Sequence, residues 1–166
     1  KYTQWRMVWL ALAKAQHALN LPISQEQLNQ LEANIHNIDL ESAAAFEDKF
    51  HHDVMAQLHA YGEVAPLAKG ILHMGATSAF VSDNAEILQQ QQAMLLIHSK
   101  LIQTIKALSE QVIQHADCAV VGFTHYQVAQ PTTLGKRWAM NLQDFMMDLT
   151  QMEAWFDSLS LRGVKG

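Results

Sequence analysis

Two long stretches without helix-breaking residues constrain this chain most strongly. Residues 82–115 contain neither Gly nor Pro, and residues 136–160 contain neither. A helix of about 33 residues is roughly 50 Å long. Two such rods have too much apolar surface to cover each other, so further helices must pack on them. Several sets of apolar residues in the first stretch repeat every seven positions: Leu88, Leu95 and Ile102; Met94, Leu101 and Leu108; Ile105 and Val112.

Apolar residues at spacings of three and four predict helices elsewhere in the chain as well. These are residues 3–19, 24–36 with a capping box at Ser24, about 40–50 capped by Asp39 or Ser42, and 52–65. The long fifth helix is predicted to begin at a cap on residue 82 or 83, and the last helix near residue 132. Residues 116–131 are predicted to be a loop, because the Val pair at 120–121 is too short to make a sheet. The predicted fold class is all-α.

Composition and charge limit the function classes. The chain has 166 residues, is 49% hydrophobic and carries a net charge of −5, which argues against nucleic-acid or anionic-membrane partners. The single cysteine, Cys118, excludes an intrachain disulfide and indicates a reducing compartment. No signal-peptide pattern or apolar run of about 20 residues occurs, so a cytoplasmic protein is expected. The end at residues 162–166, straight after a helical pattern, predicts a truncated chain.

Nine histidines are the obvious candidates for chemistry, because an imidazole transfers protons near neutral pH. Three lie at predicted element ends beside small and polar residues: His52, His73 and His125. Their positions fit either a catalytic site or helix caps and loop hydrogen bonds. His59 shares a helix face with His52, but no His-Glu-x-x-His motif or Cys partner is present, so no metal site is expected.

Four stretches in order add a family resemblance. They are HDVMA at 52–56, GATS at 75–78 followed by Asp-Asn at 83–84, GFTHYQVAQPTTLGKR at 122–137, and RGVKG at 162–166. The third contains Thr-His-x-Gln-x-Ala-x-Pro-x-Thr-x-Gly, a strong signal of the fumarase/aspartase superfamily. Together the four resemble its adenylosuccinate lyase branch. The resemblance implies an N-terminal helical domain over residues 1–77 and the incomplete start of a central helical bundle over residues 78–166.

The resemblance also implies a reaction. The family removes fumarate by β-elimination from adenylosuccinate, giving AMP, and from the succinyl-carboxamide ribotide of purine biosynthesis. It implies no cofactor, and a homotetramer whose active sites combine several subunits. Breaking the C–N bond needs a proton for the leaving nitrogen, which is general-acid chemistry. By resemblance His125 is that acid, and His52 holds the substrate and assists.

Six further positions match the family's substrate contacts or lie beside them. Thr77 and Ser78 match the pair that binds a succinyl carboxylate, which suits hydroxyls near a helix start. The other four are Thr124 beside the acid, Asp53 as companion to the second histidine, His51, and His73, for which support of the 75–78 loop is an equal interpretation. His51 stands where the family often has a phosphate-binding Arg.

One family element does not occur in these 166 residues. The Ser-Ser-x-Met-Pro-x-Lys-x-Asn loop, which supplies the serine base and a carbanion-stabilising lysine, is not in the sequence. Negligible lyase activity is therefore expected of this chain alone. The alternatives are another superfamily lyase, such as argininosuccinate lyase, fumarase, aspartase or a cycloisomerase, and a non-catalytic helical scaffold in which the histidines are caps.

Overall fold

The computed structural model describes residues 1–165; Gly166, the last residue of the fourth motif and of the predicted second domain, lies outside the described residues. Within that range the all-α class is confirmed, with one small sheet in addition. The elements are α1 (Tyr2–Ala18), α2 (Gln25–Ala33), α3 (Leu40–Phe50), α4 (Asp53–Val64), a 3-10 turn (Pro66–Ala68), α5 (Ser78–Gln114), β1 (Ala119–Thr124), β2 (Gln127–Thr133) and α6 (Leu134–Ser158).

The short helices begin where the sequence predicts. The Ser24 hydroxyl accepts from the Gln27 backbone N–H at 3.2 Å, and the Gln27 side chain accepts from the Ser24 N–H at 2.9 Å. At α3 it is Asp39, not Ser42, that caps, since its carboxylate accepts from the Ser42 N–H at 2.9 Å. Each cap satisfies a backbone donor that the first turn leaves unpaired.

Two predictions about the second half are wrong. Helix α5 begins at Ser78, four residues before the predicted cap, and the Ser82 hydroxyl bonds back to the Ser78 and Ala79 carbonyls from inside the helix. The predicted loop at 116–131 contains an antiparallel hairpin, in which Val120 pairs with Thr132. A short β-branched pair becomes a strand here because a second segment across a tight turn supplies its hydrogen-bond partners.

The described chain forms two compact units. One comprises Lys1–Gln90 with the segment that starts at Ser160, and the other comprises Gln91–Leu159. The predicted domain division at residue 77 concerns the family's architecture and stays a prediction.

The first unit has a dense core in which α1, α2, α4 and the start of α5 meet. Trp9, Leu31, Tyr61, Val81 and Ala85 are each at most 1% exposed. The Tyr61 hydroxyl donates to the Leu31 carbonyl at 2.6 Å, so its buried polar end is satisfied. Burial raises the pKa of Tyr61 above its usual value, which keeps the phenol protonated.

Arg6 is the core's one buried cation within residues 1–165, with 1% of its surface exposed. Its guanidinium donates to the Asn34 carbonyl and, at 2.6 Å, to the Asn37 carbonyl, and it lies 4.3 Å from the Tyr61 ring centroid. Burial lowers the pKa of Arg6. Arg6 thereby closes the turn between α2 and α3, since the last carbonyls of a helix lack partners of their own.

Candidate active site

His52 joins two of the candidate stretches within the first unit. It is the N-cap of α4, and its Nδ1 accepts from the Met55 backbone N–H at 3.4 Å. Its Nε2 lies 3.3 Å from the Ser78 hydroxyl at the first residue of α5. With Nδ1 as acceptor, the neutral ring carries its proton on Nε2 and donates to Ser78. The structure therefore brings the HDVMA and GATS stretches together.

Asp53 and His51 flank this histidine in different ways. The Asp53 carboxylate accepts from the Val54 N–H at 2.7 Å and lies 3.7 Å from His52 Nδ1. His51 ends α3 in the left-handed conformation, with φ 50°, and its ring is exposed. This turn places two consecutive histidines between α3 and α4, which pack against each other.

Thr77 and Ser78 lie at the N-terminal end of the 37-residue helix α5. The Thr77 carbonyl accepts from the Phe80 N–H at 3.0 Å, and the Thr77 N–H donates to the Val164 carbonyl at 3.0 Å. The positive end of a helix dipole favours an anion at this point. Two hydroxyls and an imidazole beside that dipole make a suitable carboxylate site.

Asn84 is a site-supporting residue to which sequence analysis assigned no role. Its side chain is 2% exposed, its Oδ1 accepts from the Arg162 N–H at 2.8 Å, and its Nδ2 donates to the Phe80 and Arg162 carbonyls at 2.7 and 3.2 Å. The second and fourth motif stretches therefore hold each other in place. Their joint presence among the four motifs was the only sequence signal for this contact.

His73 lies in the loop just before this helix, half-buried and with φ 62°. Its Nδ1 accepts from the Trp9 indole N–H at 3.0 Å. Burial lowers the pKa of His73, and the nearby His52 lowers it further. The adjacent Met74 carbonyl accepts from the Gln16 side chain at 2.8 Å, so α1 anchors the loop at two points.

Thr124 and His125 belong to the second unit, where they end β1 and open the hairpin turn. His125 and Tyr126 both have positive φ, 50° and 62°, which is the type I′ pattern of a two-residue hairpin. Both side chains are exposed, Tyr126 fully so. The turn places His125 at the tip of the hairpin.

Neither a metal centre nor a membrane segment emerges from residues 1–165. No three His, Cys, Asp or Glu side chains in that range are grouped so that they could hold a metal ion. No helix there combines the length and apolar character that a bilayer crossing requires.

Comparison with known proteins defines the class. A family model described as "Lyase" matches residues 3–166, and the chain belongs to this lyase family. Solved structures agree: the chain superposes on a 3-carboxy-cis,cis-muconate lactonizing enzyme from Pseudomonas putida with a TM-score of 0.81 at 27% identity, covering 93% of this chain and 36% of that one. A fumarate lyase from Mesorhizobium sp. BNC1 gives 0.81 at 25% identity, covering 92% and 36%.

Among curated relatives, the similarity is to adenylosuccinate lyases. That of Schizosaccharomyces pombe is 42% identical over 98% of this chain and 34% of its own length. That of Saccharomyces cerevisiae is 40% identical over 100% of this chain and 35% of its length. The chain thus spans about a third of the length of these relatives.

Proposed function

We propose that this chain is part of an adenylosuccinate lyase, an enzyme that releases fumarate from adenylosuccinate and from the succinyl-carboxamide ribotide of purine biosynthesis. The observation that carries the proposal is the contact between His52 Nε2 and the Ser78 hydroxyl at the N-terminus of α5. It joins a proton-transferring group to an anion-binding helix end, as cleavage of a succinylated nucleotide requires. The relatives named adenylosuccinate lyase support it.

The proposed chemistry is a β-elimination that balances without an external reagent. A base takes the Cβ proton of the succinyl group, the released electron pair forms the double bond of fumarate, and the C–N bond breaks. The leaving nitrogen takes a proton from His125, the proposed acid, and Thr124 beside it orients the substrate. The base belongs to the family's serine loop, which these 166 residues do not contain.

Substrate binding is assigned to the groups around α5. Thr77 and Ser78 bind a succinyl carboxylate with their hydroxyls, aided by the helix dipole. His52, with Asp53 at its Nδ1 side, assists the acid and holds the substrate. His51 stands where the family often has a phosphate-binding Arg, and it makes the weaker contact with phosphate there.

The exposed apolar surface of the second unit supports assembly into an oligomer. The second unit exposes many large apolar side chains, including Leu96 at 73% and Ile113 at 77%. Contiguous exposed apolar surface marks an interaction site, and a homotetramer with shared active sites would cover it. The single cysteine suits a reducing compartment, so we place the enzyme in the cytoplasm.

The test follows fumarate release by ultraviolet absorbance in the complete protein and in this 166-residue chain. We expect turnover of adenylosuccinate by the complete protein and negligible turnover by the chain alone. His125→Ala in the complete protein should lower kcat by about 10²-fold or more, the usual loss for a general acid. His36→Gln is the matched control, since His36 is exposed and lies outside the candidate site.

Argininosuccinate, malate and aspartate serve as competing substrates. Faster turnover of any of these than of adenylosuccinate would assign the protein to another branch of the superfamily. Near-normal kcat in His125→Ala would remove the role proposed for that residue. No turnover of any of the four by the complete protein would favour a non-catalytic scaffold.

A further inference from the structure

The side chain of Trp9 is tied to the candidate site although it belongs to the core. It is 1% exposed, packs edge-on against Trp5 at 6.2 Å, and lies 6.2 Å from the Tyr61 ring. Its indole N–H nevertheless reaches outward to His73 Nδ1 at 3.0 Å, across 64 residues of sequence. The two rings meet at 88°, so the N–H points at the imidazole edge.

This hydrogen bond has only one direction. An indole nitrogen donates and cannot accept, so Nδ1 of His73 must be the unprotonated ring atom. The proton of the neutral imidazole is then on Nε2. A histidine without such a partner exchanges between its two neutral tautomers. The hydrogen bond from Trp9 therefore selects the tautomer with the proton on Nε2.

The surroundings of His73 support a neutral ring. The residue is half-buried, and it lies near a second imidazole, His52. Both burial and that neighbour lower the pKa of His73. The backbone is held as well, because the Ala76 N–H donates to the His73 carbonyl at 3.1 Å and Gln16 anchors the next residue.

We infer that Trp9 is a positioning residue, which fixes His73 as an Nε2–H donor for an anionic oxygen of the substrate. The inference rests on the proposed function, because the substrate anion is part of it. His73 then binds the substrate by donating a hydrogen bond, and other groups transfer the protons of the reaction. The anion is a carboxylate or a phosphate, both of which accept from a neutral donor.

The experiment uses the complete protein labelled with ¹⁵N-histidine and the variant Trp9→Phe, which keeps an aromatic ring and removes the donor. Trp5→Phe is the matched control: Trp5 lies one turn earlier in α1 and is 2% exposed, and its replacement loses the same volume but leaves the Trp9 bond. His73→Gln identifies the His73 signals by their loss. Unfolding midpoints of both Trp variants show how much of any effect is general destabilisation.

In the unchanged protein we expect one tautomer, with Nδ1 unprotonated. In Trp9→Phe both neutral tautomers should appear, and KM for adenylosuccinate should rise roughly twofold, because only rings with the proton on Nε2 can donate to the anion, with kcat nearly unchanged. Trp5→Phe should keep one tautomer and a normal KM. Fumarate and AMP, tested as product inhibitors, identify the anion: the one whose inhibition constant rises in Trp9→Phe carries the accepting oxygen.

Three results would overturn the inference. A single unchanged tautomer in Trp9→Phe means that the indole does not set it. A fall in kcat with unchanged KM means that His73 transfers a proton. Equal KM changes in Trp5→Phe and Trp9→Phe mean a general packing effect. If the complete protein does not cleave adenylosuccinate, the proposed function fails, whereas the ¹⁵N spectra still decide whether Trp9 sets the tautomer.

Discussion

At the scale of single residues, three of the site histidines share an unusual backbone conformation. His51, His73 and His125 have φ between 50° and 62°, a region that side chains other than Gly seldom occupy. His51 ends α3 and His125 opens the type I′ hairpin turn, so local geometry accounts for both of these angles. Asn20 and Tyr126, to which no role is assigned, adopt the same conformation.

His73 also makes the stability of the chain depend on pH. Its folded-state pKa is lowered by burial first and by His52 second, whereas the unfolded chain has an ordinary pKa of about 6.5. Well above pH 6.5 the ring is neutral in both states and does not change the free energy of unfolding. Below that, the unfolded state binds more protons, so the free energy of unfolding falls as the pH falls.

We therefore expect the chain to lose more stability between about pH 7.5 and about pH 5.5 than its His73→Gln variant does. Gln keeps an acceptor for the Trp9 N–H, so packing is preserved while the titrating group is removed. Urea midpoints at the two pH values measure the difference, and the exposed His36→Gln should follow the unchanged chain. Identical pH dependence in all three proteins would contradict the assignment.

At the scale of elements, Gly135 decides how α6 can begin. A Cβ at this position would lie 2.6 Å from the Val112 carbonyl oxygen and 2.8 Å from the Ala116 backbone. The Gly135 N–H donates to the His115 carbonyl at 2.8 Å, and the Leu134 N–H donates to the Cys118 carbonyl at 2.9 Å. The end of α5 and the start of α6 are thus in backbone contact, and they hold the base of the hairpin that carries His125.

Gly135→Ala should destabilise the chain by about 1–3 kcal/mol, because backbone atoms must move to admit the methyl group. Gly70→Ala is the matched control, since nothing lies within 4 Å of its added Cβ and its φ is not in the left-handed range. That control should change stability by less than about 1 kcal/mol. Urea unfolding followed by circular dichroism compares them, and equal midpoints would refute the close approach.

At the scale of the whole molecule, the apolar faces of the second unit remain exposed in the single chain. Leu95, Leu96 and Ile97 are 52–73% exposed on α5, and Met140, Met146 and Met147 are 54–64% exposed on α6. Burying a leucine contributes about 1.5–3 kcal/mol, so several such residues per copy favour association strongly. This surface agrees with the prediction that the long rods need further helices.

We expect Leu96→Glu to shift the complete protein from the proposed homotetramer toward smaller species, because it places a charge in the proposed apolar interface. Leu67→Glu makes the same chemical change at 59% exposure in the first unit, and it should leave the assembly intact. Sedimentation velocity measures both variants. Unchanged sedimentation of Leu96→Glu would place the interface elsewhere.

Local sequence patterns were sufficient to predict the short helices of the first unit, the cap of α2 and the candidate histidines. Periodicity and capping depend on residues three or four positions apart, so the capping box at Ser24 and a cap at Asp39 or Ser42 could be predicted without any tertiary information. The family motifs likewise singled out His52 and Ser78, although nothing in their spacing showed that the two side chains touch.

The contacts that join distant parts of the chain became visible only in the three-dimensional structure. The hairpin forms because the backbone groups of β1 hydrogen-bond to those of β2. The composition of either strand alone does not predict this pairing. The bonds from Trp9 to His73 and from Asn84 to Arg162 span 64 and 78 residues. Such contacts depend on how helices pack in three dimensions, and local sequence patterns carry no record of that packing.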